Sequence, residues 1–347
     1  MKRQTLCLIF GGKSSEHQVS LRSCACILKN INREKYVIHK IGITRDGKWY
    51  LYKGDESKIE TGEWESAREK YPISLSLTGS ELTYGRAYRR RIRPDIIFPV
   101  VHGENCEDGR LQGLFDIAGI KYVGCGTEAG VLAMNKHLTK LIAREHGIPI
   151  ANYITVNSSQ LDDTELLKER VEKIGYPVFV KPTSCGSSVG VYKVEGNDTL
   201  IASVRKSLRY SDTVLIEETV CGVETEVAVL RQRDEMIVGG VGQIEYSAPF
   251  YDYNTKYESD RVRYIIPAEI DDECKEKIEE YARTLFRAIG GRGMCRADFF
   301  VTSRGKIVFN EINTMPGFTS GSMYPMLMAG KRGSISGLID SILVNEI

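Results

Sequence analysis

No charge of either sign dominates this chain of 347 residues, in which 47 lysines and arginines stand against 46 aspartates and glutamates for a net charge of +1. That balance favours neither nucleic acid nor a membrane surface as a partner. No apolar stretch is long enough to span a bilayer. The strand-like run at 5–10, after Lys2 and Arg3, is too short for the apolar region of a signal peptide. The nine cysteines include no CxxC pair, and Cys24 and Cys26 lack the second pair that a structural zinc site needs. Odd in number and set mostly in apolar or strand-like stretches, they read as thiols of a reducing compartment, so the expected location is cytoplasmic. There is no internal repeat, and 42% hydrophobic with 27% charged residues excludes a disordered or low-complexity chain.

What is present is the alternation of an open α/β protein, with length for about two or three domains. Strands are expected at 6–10, 36–43 and 96–101, and helices at 19–30 and 111–118. Residues 52–93 turn polar and read as irregular. They end in a basic run, Arg86, Arg89, Arg90, Arg91 and Arg93, expected to be a solvated face. One helical run at 127–145 closes on Gly147 and Pro149. Strands follow at 151–156, 177–181, 214–218, 224–231 and 236–244, then a helix at 272–289 and a hairpin of 294–301 with 306–313. The expected units are 1–124, 125–214 and 215–347.

Three stretches carry chemistry. Gly11 and Gly12 follow the first strand and precede a helix, where backbone N–H groups can meet an anion or the chain can simply turn tightly. The third glycine of a dinucleotide fingerprint is missing, which disfavours a nicotinamide cofactor. The second loop, 181–190, puts Lys181 at the end of an apolar strand ahead of a glycine and serine run rich in donors, suited to closing over phosphates. In the C-terminal hairpin, Asp298 lies on one strand, while Glu311 and Asn313 share one face of the other. Oxygen donors without histidine or thiolate suit a hard cation such as Mg2+, which normally comes with phosphates. Arg296, on the same face as Asp298, can meet negative charge gathered there.

Together these stretches resemble the ATP-grasp superfamily and, within it, the D-alanine-D-alanine ligases and their vancomycin-resistance relatives. The motifs are GGKSSEHQVS (11–20), HGENCEDGRLQG (102–113), KPTSCGSSVG (181–190), FYDYNTKY (250–257), CRADFF (295–300) and FNEINTMPGFTSGS (309–322). The resemblance implies an N-terminal substrate-binding α/β domain followed by a two-part ATP-grasp fold, its C-terminal part holding the metal site. It further implies that ATP phosphorylates the carboxylate of one D-alanine and that the amine of a second D-amino acid attacks the acyl phosphate. By position, Glu16 would hold the first amine with Ser187 and Tyr257, and His102 would lie near the first carboxylate. Lys136, Lys181 and Lys256 match lysines on the ATP phosphates, and Glu217 and Glu224 match residues on adenine and ribose. Asp298, Glu311 and Asn313 match a site for two magnesium ions, in which manganese can substitute. Arg296 and the N–H of Gly317 match the groups on the oxyanion, and Ser322 the contact to the second carboxylate. The implied protein is a cytoplasmic homodimer acting on small molecules, with no nucleic-acid or membrane partner, in peptidoglycan precursor synthesis.

Two residues depart from the pattern. Cys106 replaces the glycine of HGxxGEDG, and Cys185 stands in the phosphate loop; each is either a packing change or a reactive thiol. IGITRDGKWY (41–50) looks like the D-alanine-D-serine ligases of vancomycin-resistance clusters, so D-serine is the alternative second substrate. Met323 and Tyr251, where that subgroup carries arginine and phenylalanine, favour D-alanine instead. Residues 247–261 are expected to form a lid. A different ATP-grasp ligase is disfavoured by Glu16, Tyr257 and Ser322. A sensor without catalysis is disfavoured because Lys181, Arg296, Asp298, Glu311 and Asn313 are all present.

Overall fold

Leu6, Leu8 and Phe10 face one side of the first strand and Cys7 and Ile9 the other, and all five are fully buried in two different apolar clusters. Such a strand must lie inside a sheet covered on both faces. In the computed structural model, which describes residues 3–246 and 262–344, Gln4–Gly11 pairs in parallel with Tyr36–Ile43 and with Ile96–Pro99. The sheet continues past Tyr36–Ile43 through Trp49–Tyr52, Lys70–Leu75, Leu82–Tyr84 and Arg90–Ile92, each antiparallel to the one before, to a total of seven strands.

The last three of these strands correct the expectation that 52–93 is irregular. They bury few residues, chiefly Ile73, Leu82 and Ile92, too few to mark a period of two in the sequence. The basic run is the exposed face expected, with two of its arginines also paired. Buried Glu81 receives Arg91 at 3.1 Å and Arg93 at 3.3 Å. Trp64, from the same stretch, is fully buried edge-on to Phe10, over Gly42, where a side chain would collide with the indole.

Two antiparallel sheets form the rest. One has the order Tyr192–Val194, Val178–Pro182, Thr213–Glu218, Tyr153–Asn157. The other runs Val262–Ile265, Glu235–Tyr246, Val223–Gln232, Met294–Val301, Ile307–Asn313. The expected boundary between 214 and 215 therefore falls inside a strand, and all of Thr213–Glu218 belongs to the four-stranded sheet. Helix Asp272–Ala288 buries Ile278, Ala282 and Leu285 along one stripe, as its spacing requires.

The helical run 127–145 is two helices, Thr127–Met134 and Lys136–Glu145, and not one. Asn135 breaks it with an extended backbone (φ −85°, ψ 100°), and its side-chain oxygen accepts the N–H groups of His137 and Leu138, each at 3.1 Å. Asparagine competes well for the cap position, which the apolar pattern alone does not reveal. The break lets the Lys136 N–H donate to the Thr183 carbonyl at 2.8 Å, tying the second helix to the serine loop. Asn135→Ala is expected to cost about 1 kcal/mol, read as a lower urea midpoint; an unchanged midpoint would show that the cap contributes nothing.

Two helices close the described chain, Met323–Arg332 and Ile335–Val344. Leu338, Ile339, Ile342 and Leu343 join the cluster that holds Leu6, Leu8, Leu21 and Ile27, and Lys35 pairs with Asp340 at 2.8 Å.

Candidate active site

Gly11 and Gly12 take φ values of +88° and +107° that favour glycine. Their amides are used within the protein: the Gly11 N–H donates to Ser20 Oγ at 2.7 Å and the Gly12 N–H to the Ile43 carbonyl at 2.9 Å. The tight turn, and not anion binding by these two amides, is what the glycines provide. It delivers Glu16, buried, whose carboxylate accepts the hydroxyl of Ser187 from the second loop. Ser187 and Ser188 both hold left-handed φ values, 50° and 56°. The two loops singled out in the sequence thus meet side chain to side chain.

His102 is buried, with Nδ1 3.0 Å from the Met315 carbonyl and Nε2 3.1 Å from Ser23 Oγ. The Glu107 carboxylate lies 3.7 Å from Nδ1. Burial alone would lower the imidazole pKa, but Glu107, with help from the charge of Glu16, raises it above the ordinary histidine value.

The lysines form a graded set. Lys140, fully enclosed, sets its Nζ 2.7 Å from Glu217 Oε1, and Lys181 sets its own 2.9 Å from Oε2. Burial would raise the Glu217 pKa, but the two lysines outweigh it and hold it at about 2. Burial pulls Lys140 below the usual lysine value. Lys181, also desolvated, is lifted by Glu217. Lys136 reaches the Cys185 carbonyl at 2.8 Å and Glu311 at 3.1 Å. Glu224 hydrogen-bonds Tyr246, whose pKa burial and that carboxylate push up to about 12.

Across the five-stranded sheet, Glu226, Asp298 and Glu311 lie opposite one another on three neighbouring strands. Arg296, two residues from Asp298, grips both of its oxygens at 2.8 Å and sits 3.1 Å from Glu226. Although burial opposes its charge, Asp298 and Glu226 keep the guanidinium ionised. Asn313 accepts the Met315 N–H at 2.9 Å. Among the described residues no three His, Cys, Asp or Glu side chains could hold a metal by themselves. Two carboxylates and a carboxamide, their charge now met by Arg296 and Lys136, nonetheless fit a hard divalent cation shared with phosphate oxygens.

Gly317 packs against Ser322, whose Oγ accepts the Thr319 N–H at 3.1 Å at the head of helix Met323–Arg332. Met323 is buried. One cavity of about 690 Å³ is lined by Glu16, His102, Lys136, Ser187, Arg296, Glu311 and Asn313, together with Gly317, Ser322 and Met323. Lys181, Glu217 and Glu224 are not among the residues that line it. Tyr251, Lys256, Tyr257 and the expected lid lie outside the described residues.

The two unusual cysteines also resolve. Burial drives the Cys106 thiol far up, and Cys185, half-buried, is raised for the same reason, so neither is poised as a thiolate.

Sequence reasoning missed Lys140, Glu226, Glu107 and Ser23. Lys140 follows Lys136 by four residues and Glu226 follows Glu224 by two, so the spacing of a helix and of a strand would have found the first two. Nothing local marks Ser23.

Residues 5–125 match the family model described as the D-ala D-ala ligase N-terminus, and residues 142–344 match the one described as its C-terminus. The chain belongs to the D-Ala-D-Ala ligase family. A D-alanine--D-alanine ligase of Acetivibrio thermocellus is 42% identical, covering 98% of this chain and 95% of the relative. Two solved structures superpose over the whole chain. VanG D-Ala:D-Ser ligase from Enterococcus faecalis gives a TM-score of 0.91 at 39% identity and is itself fully covered. The D-alanine-D-alanine ligase of Coxiella burnetii gives 0.88 at 29%, with 94% of that chain covered. Family membership carries the ATP-grasp fold expected from the motifs, with Lys181 and Glu217 on the four-stranded sheet and Glu226, Asp298 and Glu311 on the five-stranded one. No helix among the described residues is long and apolar enough to cross a membrane.

Proposed function

We propose that the protein joins two D-alanine molecules at the expense of ATP, supplying a dipeptide for peptidoglycan. The observation that carries this reading is one cavity lined both by Glu16 and Ser187, which meet there, and by Arg296, Gly317 and Ser322. A carboxylate for an amine, a cation and amide for an oxyanion, and a helix head for a carboxylate suit two amino acids end to end.

In this reading the γ-phosphoryl group passes to the first carboxylate and ADP leaves. The second amine then attacks the acyl carbon, phosphate departs and a proton is released. Glu16 holds the first ammonium group, and Ser187, with Tyr257, keeps the loops together. His102 borders the first carboxylate, and Ser322 receives the second. Lys136, Lys181 and Lys256 neutralise phosphates, which otherwise repel the attacking carboxylate. Glu217 and Glu224 face adenine and ribose. Asp298, Glu311 and Asn313 hold two magnesium ions, or manganese. Bound there, the metal withdraws charge from the phosphate oxygens. The nine free thiols suit a reducing cytoplasm, and family resemblance carries the expectation of a homodimer.

A second reading, D-serine as the second substrate, is favoured by the likeness to VanG. Met323 argues against it. Buried and apolar beside Ser322, it offers a serine hydroxyl no partner, and an uncompensated hydroxyl costs roughly 1 to 3 kcal/mol. Labelled D-alanine and D-serine supplied together at equal concentration test both readings. D-Alanyl-D-alanine is expected in about tenfold excess or more, with negligible product from D-lactate, and Met323→Arg should shift the ratio toward serine. Mostly D-alanyl-D-serine would overturn the assignment to D-alanine, and no dipeptide at all would overturn the ligase reading.

A further inference from the structure

We propose that Ser23 is a positioning residue that, together with His102, clamps both ends of the loop carrying Gly317. The inference rests on the reading of the Gly317 N–H as an oxyanion donor. Ser23 lies on helix His17–Asn30 and is fully buried. Its Oγ accepts the Phe318 N–H at 3.0 Å, from a residue 295 positions away, and lies 3.1 Å from His102 Nε2. His102 Nδ1 lies 3.0 Å from the carbonyl of Met315.

Hydrogen-bond chemistry fixes the direction of this chain. A carbonyl oxygen can only accept, so Nδ1 carries the hydrogen. In the neutral ring Nε2 is then bare, and it accepts the one hydrogen that the Ser23 hydroxyl has to give. Ser23 keeps a lone pair for Phe318. The order is Phe318 N–H to Ser23 Oγ, Ser23 O–H to His102 Nε2, and His102 Nδ1–H to the Met315 carbonyl. It starts and ends on the same loop.

The two peptide groups held are the Met315 carbonyl and the amide joining Gly317 to Phe318, on either side of the glycine. With the second amide fixed by Ser23 and φ of Pro316 restricted by its ring, the Gly317 N–H has little freedom left. Without the serine hydroxyl, the glycine would have its own flexibility and only one anchored end. His102, both of whose nitrogens are engaged by the protein, then serves the reaction by holding this loop, and any contact it makes with substrate is through carbon. A misplacement of about 1 Å in such a donor costs up to ~100-fold in rate.

Histidine-selective 15N NMR tests the clamp in the native protein. The chain has five histidines, and the His102 signals are assigned by their loss in His102→Asn. At a pH where the ring is neutral, the hydrogen is expected on Nδ1; a hydrogen on Nε2 overturns the proposal, whatever the variants do. Ser23→Ala is expected to lower kcat for dipeptide synthesis about tenfold or more while KM for ATP stays within about twofold. A kcat within about twofold of the parent, or a loss confined to KM, overturns it. Because a clamp opened at one member gains nothing from the other, Ser23→Ala with His102→Asn should be no slower than His102→Asn alone. Multiplying losses would show two independent roles and overturn the shared one. If the parent protein makes no D-alanyl dipeptide, the functional reading fails, while the tautomer still decides whether the clamp exists.

Discussion

Glu311→Gln is expected to lower the rate of ATP-dependent phosphate release with D-alanine roughly 100-fold at limiting magnesium. Glutamine keeps the shape of the side chain and loses its charge. Glu311 stands directly across from Asp298 and 3.1 Å from Lys136. Its removal therefore weakens the cation site and frees a lysine to compete with the metal for phosphate oxygens. Part of the loss should return as magnesium is raised, because the remaining oxygens still bind it more weakly. The fold should survive, since glutamine keeps the volume of the side chain at a position that is 26% exposed, where water can reach its amide. A variant with the parental rate at limiting magnesium would remove Glu311 from the metal site.

Glu217→Gln should instead act on stability, by about 3 kcal/mol at pH 7. It leaves Lys140 and Lys181 facing each other with no anion between them, in a place where Lys140 is 1% exposed. The pH dependence has a definite sign. With its pKa lowered from 4.5 to about 2 on folding, Glu217 contributes stability that is complete above about pH 4.5 and is lost as the pH falls toward 2. The gap between the parent and Glu217→Gln in urea midpoint should accordingly narrow across that interval. A gap that stays constant from pH 7 to 3 would mean the carboxylate is not held by the lysines.

Much of this was legible in the sequence where the signal is local. Asp298, Glu311 and Asn313 alternate along two strands joined by a turn, so their meeting followed from strand geometry. The ends of helix Asp272–Ala288 and of strand Tyr36–Ile43 were plain because each has a clear apolar period and flanking polar residues. The strands between Lys70 and Ile92 were not, because each rests on few buried residues. Asn135 hid a helix break, since its effect is a side-chain hydrogen bond and not a change of pattern. The lysine pair on Glu217 and the Ser23 contacts were beyond reach for a further reason. Lys140 lies 77 positions from Glu217, and Ser23 lies 295 from Phe318, and only tertiary packing brings each pair together.

The sharing of one apolar cluster by Leu6, Leu8 and Leu21 with Leu338, Ile339 and Leu343 has a consequence for biosynthesis. The first strand leaves the ribosome well before the residues that cover part of its helical side are made. This unit must wait, with apolar surface uncovered, for roughly the time needed to translate the intervening chain, on the order of tens of seconds. Contacts between such distant segments are also slow to form. Shortening the chain from its C-terminal helix should therefore harm the yield of correctly folded N-terminal sheet, far from the cut, and make nascent chains depend on chaperones that shield apolar surface.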